Sequence, residues 1–281
     1  MKRFPRTLAL LLALLLTLGA CARAETEVSA LFINVGKADA ALYLLGDQRF
    51  LIDTGTKDSY DQLERVLEAY GVQRLDGVLI THTDKDHVGG LKKLLKSGIA
   101  VDALYAGTLH SEKSLEDHPV YEAAEKYDVP LTWLSAGDVI DLGNGCTFQV
   151  LGPLSQDDED ENNNSLVLRL LTPQGDMLLT GDMELEEENE LIEAGLISQA
   201  AVLKVAHHGR DDTTSRQFAL LVRPQWAVIS TSTAERPDTP SAKVLSYLRD
   251  ARASVAVTQE AQVGILITLE GGQASAEAIN W

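Results

Sequence analysis

Six consecutive residues, His82-Thr83-Asp84-Lys85-Asp86-His87, carry two imidazoles and two carboxylates. Clustered carboxylates repel each other, so their donors converge only where something positive offsets them. A divalent cation does this, because imidazole and carboxylate are both metal ligands. The competing reading is a helix start, with Asp86 as its cap and both histidines exposed. One capping aspartate is ordinary, whereas four donors in six residues favour the cation. Further donors follow at Asp182, closing "LLTGD", and at the adjacent His207 and His208 of "LKVAHHG".

Such donors need rigid elements behind them. "GVLI" (77–80) reads as a buried strand that delivers the 82–87 turn, and "VGGLKKLLKSG" (88–98) as an amphipathic helix that follows it. Strands are also expected at 30–34, 40–45, 49–53, 147–152, 165–171, 176–182, 201–206, 226–230 and 264–269. Helices are expected at 61–71, 184–195, 215–224 and 241–251, where apolar residues recur at three and four. Two stretches share one plan. "LYLLGDQRFLIDTG" (42–55) and "LRLLTPQGDMLLTGD" (168–182) are each strand, turn, strand, then helix, then a short strand ending in histidine. A duplication with a pseudo-twofold follows, placing His82, Asp182 and His207 at strand ends on one edge. One domain over 28–281 is the simplest organisation.

"THTDKDHVGG" resembles the His-x-His-x-Asp-His signature of the metallo-β-lactamase fold, with Asp84 at the second histidine. "FINVGKADA", "FLIDTG", "NNNSLVLRL", "LLTGD" and "LKVAHHG" follow in the order of that superfamily. The resemblance is to the branch holding the lactamase-like domain of the competence DNA-uptake protein ComEC. It implies an α/β fold, an αββα sandwich of two pseudo-symmetric halves. It also implies two divalent ions, zinc or manganese. His82 and Asp84 would hold the first ion, Asp86 and His87 the second, and Asp182 would bridge them. Either His207 or His208 would complete the second site; equivalence of the two histidine-ended strands favours His207 as ligand and leaves His208 as proton donor. Asp84 stands in for an imidazole and a third histidine is missing, so the first site is expected to be weak. Asn163 and Asn164 occupy that region and, with Lys37, are candidate substrate contacts; solvated loop roles compete for all three. Asp53 is expected to orient a ligand. Arg236 falls where the branch often has a histidine, and so marks a lost ligand.

The implied chemistry is hydrolysis by a metal-activated water, with Asp86 and Asp182 positioning it and His208 protonating the leaving group. The expected substrate is a phosphoester or another small anionic or ester compound. The alternative is a metal-binding scaffold or DNA-uptake accessory protein with a degenerate, inactive site. Charge bears on the choice. The formal net charge is −18, and removal of the four positive charges in residues 1–24 leaves −22. Such a chain repels extended nucleic acid.

Lys2, Arg3 and Arg6 precede an apolar run at 8–18, which reads as an export signal over residues 1–20. "LGAC" makes Cys21 a candidate lipid anchor, the membrane contact then coming from the lipid; cleavage after Ala24 is the alternative. Either cut leaves Cys146 unpaired, as a small core residue. The acidic runs at 157–161 and 184–190 are expected to be a solvated loop and an exposed helix face.

Overall fold

The computed structural model describes residues 27–111 and 114–281. The expectations for the export signal, Cys21 and cleavage after Ala24 lie outside the described residues. Two mixed sheets face each other. The first runs β17-β16-β1-β2-β3-β5-β7-β8 and the second β15-β14-β13-β12-β11-β10-β9. In the first, β1 (Val28–Ile33), β2 (Ala41–Leu45) and β3 (Gln48–Ile52) form an antiparallel meander. β5 (Gly77–Ile80), β7 (Leu104–Gly107) and β8 (Leu131–Leu134) then continue in parallel from β3. The second repeats this plan. β9 (Val139–Asp141), β10 (Thr147–Gly152), β11 (Val167–Thr172) and β12 (Gly175–Leu179) are antiparallel; β13 (Val202–Lys204), β14 (Trp226–Ile229) and β15 (Ser254–Val257) continue in parallel. β16 (Gly264–Glu270) and β17 (Gln273–Ile279) close the free edge of β1, while the two-residue β4 (Arg74–Leu75) and β6 (Ala100–Val101) form a separate ribbon.

Three apolar cores define four layers. The first lies between the sheets, where Phe32, Tyr43, Phe50 and Phe148 meet edge to face at centroid distances of 6.0 to 6.4 Å. Each such pair is worth about 0.5–1.5 kcal/mol beyond its burial. The second packs the first sheet on α1 (Tyr60–Ala69) and neighbouring helices, and the third packs the second sheet on its own helices. This is the αββα sandwich implied by the sequence. α1 buries Tyr60, Leu63, Val66 and Leu67, the stripe its periodicity predicts.

The expected helix at 88–98 is broken into α2 (Lys85–Val88) and α3 (Leu91–Leu94). Gly89 and Gly90 lie so close to the chain after β3 that side chains do not fit. A Cβ on Gly90 would sit 2.3 Å from the Thr54 carbonyl oxygen, and one on Gly89 2.7 Å from the Lys57 nitrogen. Strands β4, β6, β7, β8, β9, β15 and β17 and helix α4 (Pro119–Tyr127) stand outside the elements expected from the sequence. α5 (Leu185–Glu193) corrects the expected exposed acidic face: Glu187 and Glu188 are both buried. Cys146 is buried and free. Two further helices, α6 (Arg216–Val222) and α7 (Ala242–Asp250), start at Ser215 and Ser241, whose side chains cap Phe218 N and Val244 N. Among the described residues no helix is long and apolar enough to cross a membrane.

Candidate metal centre

The ends of β3, β5, β12 and β13 meet at one edge of the sandwich, and the chain leaves β3 and β13 through left-handed backbone at non-glycine residues. Asp53 after β3 has φ 58°, while His207 and His208 after β13 have φ 44° and 56°. Left-handed backbone at non-glycine residues costs about 1–3 kcal/mol each and persists only where surrounding contacts enforce it. Those contacts are present. Asp53 accepts from Thr81 N, Thr81 Oγ1 and His87 Nδ1, each at 2.8 Å. His208 Nδ1 donates to the Ser230 carbonyl at 2.8 Å.

Fixing each Nδ1 turns each Nε2 inward. His87 Nε2 and His208 Nε2 both lie 3.2 Å from Asp182 Oδ2, and His208 Nε2 is 3.3 Å from Asp86 Oδ2. Asp39, in the β1–β2 connection, completes the group: one donor atom from each of Asp39, His87, Asp182 and His208 lies within 4.8 Å of the others. All four side chains are buried. Asp39 Oδ1, Asp182 Oδ1, His87 Nε2 and His208 Nε2 have no hydrogen-bond partner. Buried orphan donors are expensive unless a ligand satisfies them. Two nitrogens and two oxygens, with the outer ring nitrogens held by Asp53 and a backbone carbonyl, fit a divalent metal ion.

Lys204, at the end of β13, is buried beside this quartet. It donates to Asp39 Oδ2 and to the Gly181 carbonyl, and lies 3.9 Å from Asp182 Oδ1. Burial pushes the Asp39 and Asp182 carboxyls up, but neighbouring cations outweigh it and hold both below the ordinary range. Lys204 leads for Asp39, and His208 and His87 lead for Asp182. Burial favours neutral imidazole at His87 and His208, yet the Asp182 charge raises both above the ordinary histidine value.

The remaining candidates are distributed around this centre. His82 is buried, its Nε2 is unpaired and its ring centroid lies 4.1 Å from that of His87, the two rings tilted by 51°. Asp84 is half exposed, 4.0 Å from His82 Nε2. Asp86 accepts from Lys37 Nζ at 2.6 Å. His207 Nδ1 lies 3.1 Å from Glu184 Oε1, and its Nε2 is 3.7 Å from Asp182. Asn163 and Asn164 spend their amides on the loop before β11: Asn163 Nδ2 donates to Asp157 Oδ2, and Asn164 Nδ2 donates to the Asp157 carbonyl. Arg236 lies 3.4 Å from exposed Asp238. Of the two adjacent histidines, His208 rather than His207 falls in the quartet. Sequence reasoning missed Asp39 and Lys204. The signal for Asp39 is an acid between alanines just before an apolar strand; for Lys204 it is a lone cation inside "AVLKVA".

Comparison with known proteins agrees with this geometry. Residues 33–232 match the family described as the metallo-beta-lactamase superfamily. The chain is 33% identical over 264 residues to ComE operon protein 3 of Bacillus subtilis, covering 88% of this chain and 33% of that protein. It is 28% identical to competence protein ComA of Neisseria gonorrhoeae, covering 80% and 30%. The chain thus spans about a third of the length of these relatives. A solved structure of a diphosphatase from the PhnP family aligns with a TM-score of 0.51 at 12% identity, covering 85% of this chain and 96% of that one, which speaks for the fold alone. With the sandwich, the motif order and the histidine–carboxylate edge in agreement, the chain belongs to the metallo-β-lactamase superfamily, in the branch of lactamase-like domains carried by competence proteins.

Proposed function

We propose that the protein is an exported, metal-dependent hydrolase of a phosphoester or another small ester. The observation that carries this reading is the convergence of Asp39, His87, Asp182 and His208, with orphaned buried atoms on all four. These residues would hold one zinc or manganese ion. His82 Nε2, with Asp84 beside it, offers a weaker place for a second. When bound, such ions supply a water of lowered pKa and polarise the ester oxygen. The chain's own groups supply the rest. Asp86, held by Lys37, presents its carboxylate at the rim beside His208. Because His208 Nε2 faces the carboxylates, proton donation falls to His207, whose Nδ1 is held by Glu184. Its Nε2 stands 3.7 Å from Asp182 Oδ2 and 3.4 Å from Arg210 Nη1, so a leaving group reaches that nitrogen by taking the place of Arg210. Lys37 at the rim suits an anionic substrate. The kinship with competence proteins favours an ester of phosphate over a β-lactam.

The test is a screen of metal-reconstituted protein against phosphomonoesters, phosphodiesters, lactones and β-lactams. Metal-dependent turnover of a phosphoester, abolished in Asp182→Ala, is the expected result. A second reading, an inert scaffold, is favoured by one observation: among the described residues no third acid, histidine or cysteine converges on His82 and Asp84. One bound ion and no turnover of any of these classes would establish that reading.

A further inference from the structure

We propose that a cavity beside the metal centre binds an organic polycation, of the class of the aliphatic polyamines, through a wall of carboxylates that includes buried Glu187. The cavity, about 770 Å³, lies between the loop after β10 and the start of α5. Its lining holds nine aspartates and glutamates and no lysine, arginine or histidine. Among the described residues these acids bond mostly to neutral groups. Asp158 accepts from Gln156, Glu190 from Ser155, and Asp157 from Asn163. Only Asp212 meets a fixed cation, Arg210, at 2.5 Å.

An acidic surface alone would need nothing more than water. Glu187 is different. It is only 3% exposed, both of its carboxylate oxygens lack a hydrogen-bond partner, and it lines this cavity. Gly152 makes the room: a Cβ there would sit 2.8 Å from Glu187 Oε1. A buried carboxyl group with no partner for either oxygen is costly even when it holds its proton, so the position asks for a partner that arrives from outside the chain and draws the group into its ionised form. A positively charged amine supplies one through charge-assisted hydrogen bonds.

The shape separates a polyamine from a metal ion. Calcium-type sites gather six to eight oxygens at about 2.3–2.6 Å, so their ligands must converge. Among the described residues, the one convergent group touching this cavity is Glu184, His207 and Asp212. Arg210 already occupies it, with Nη2 on Asp212 and Nη1 3.4 Å from His207 Nε2. The other carboxylates are spread along the walls. A chain of spaced amines meets spaced acids; a point charge does not. Glu184 borders both this cavity and His207, so an occupied cavity lies next to the metal centre. Binding needs no turnover and does not rest on the hydrolase reading.

Calorimetric titration of the purified, metal-loaded chain with spermine, and separately with calcium chloride, tests this. Spermine should bind at one site, with affinity reduced about tenfold or more by Glu187→Gln/Glu190→Gln. Glu190→Gln alone, at a half-buried position, should weaken binding and keeps the test open if the double variant folds poorly. Glu68→Gln/Glu125→Gln, at exposed sites elsewhere, should leave the affinity unchanged. No binding at millimolar spermine overturns the proposal. So does an equal loss in the remote variant, which marks diffuse attraction to an acidic surface, or calcium binding abolished by the cavity substitutions without spermine binding.

Discussion

Within the site, the chemistry depends on which ring nitrogen faces inward. Asp53 holds His87 Nδ1, and the Ser230 carbonyl holds His208 Nδ1. Asp53→Asn should therefore lower metal affinity about 10–100-fold without removing a proposed ligand. Competition with a chromogenic chelator measures this, and an unchanged affinity would show that Asp53 serves the turn alone. Lys204 makes a different prediction. It donates to Asp39, and it stands near Asp182. Lys204→Met leaves buried carboxylates short of compensation, a loss of about 3–5 kcal/mol of stability in chelator. Added zinc or manganese should restore part of it, because a cation takes over the lysine's electrostatic role; urea melts with and without metal show this. Both residues mark what single-residue reading can and cannot find. His82–His87, Asp182 and the histidine pair stand out because several rare donor types cluster. Asp39 sits alone among alanines, and becomes a ligand candidate only when β1 and β2 bring their connection against α2, where Asp39 N donates to the Asp86 carbonyl.

The legibility of the elements tracked burial pattern. Long strands buried on both faces, such as β1 and β11, and helices with a full apolar stripe, such as α1, announce themselves by period. β7 and β8 are four residues each, too short to show a period, and β17 ("QASAEAI") alternates small and polar side chains at an edge. α4 carries proline at its first turn, a helix signal that its alanines and acids obscured. The break after α2 follows from contact rather than propensity, and it is testable. Gly90→Ala drives a methyl into the Thr54 carbonyl. It should cost about 1–3 kcal/mol of stability and shift the 82–87 turn, lowering metal affinity as well. α5 supplies a pH prediction. Burial, with a smaller push from Glu190, raises the Glu187 carboxyl well above its ordinary 4.5. The folded state then holds a proton that the unfolded state releases, so this group's contribution to stability falls as pH rises above about 4.5. Glu187→Gln carries no such proton. Its melting temperature should match the parent near pH 4 and exceed it increasingly toward neutrality, which scanning calorimetry across that range measures. A constant difference at every pH would mean that Glu187 is not the titrating group.

At the scale of the whole molecule, two sheets of one plan place their parallel halves so that β3 and β5 face β12 and β13, and the metal centre occupies the shared edge. The duplicated plan was readable because each copy ends a strand in an acid and a later strand in histidine; the pairing of β16 and β17 onto β1 was not, since it joins the two ends of the described chain. The net charge then bears on what reaches that edge. Affinity for duplex DNA comes mainly from cations that displace counterions from phosphates. This chain carries −18, or −22 without residues 1–24, and Lys37 at the rim is already bound to Asp86. With that charge, a small phosphodiester can approach where a polyanion is repelled. The chain spans about a third of the length of its competence-protein relatives. The metal-loaded protein should accordingly hydrolyse bis(p-nitrophenyl) phosphate, yet give no anisotropy change with a labelled duplex of about 30 base pairs at about 50 mM salt. Duplex binding that weakens steeply with salt, in the manner of several phosphate contacts, would show that a local cationic path overrides the overall charge.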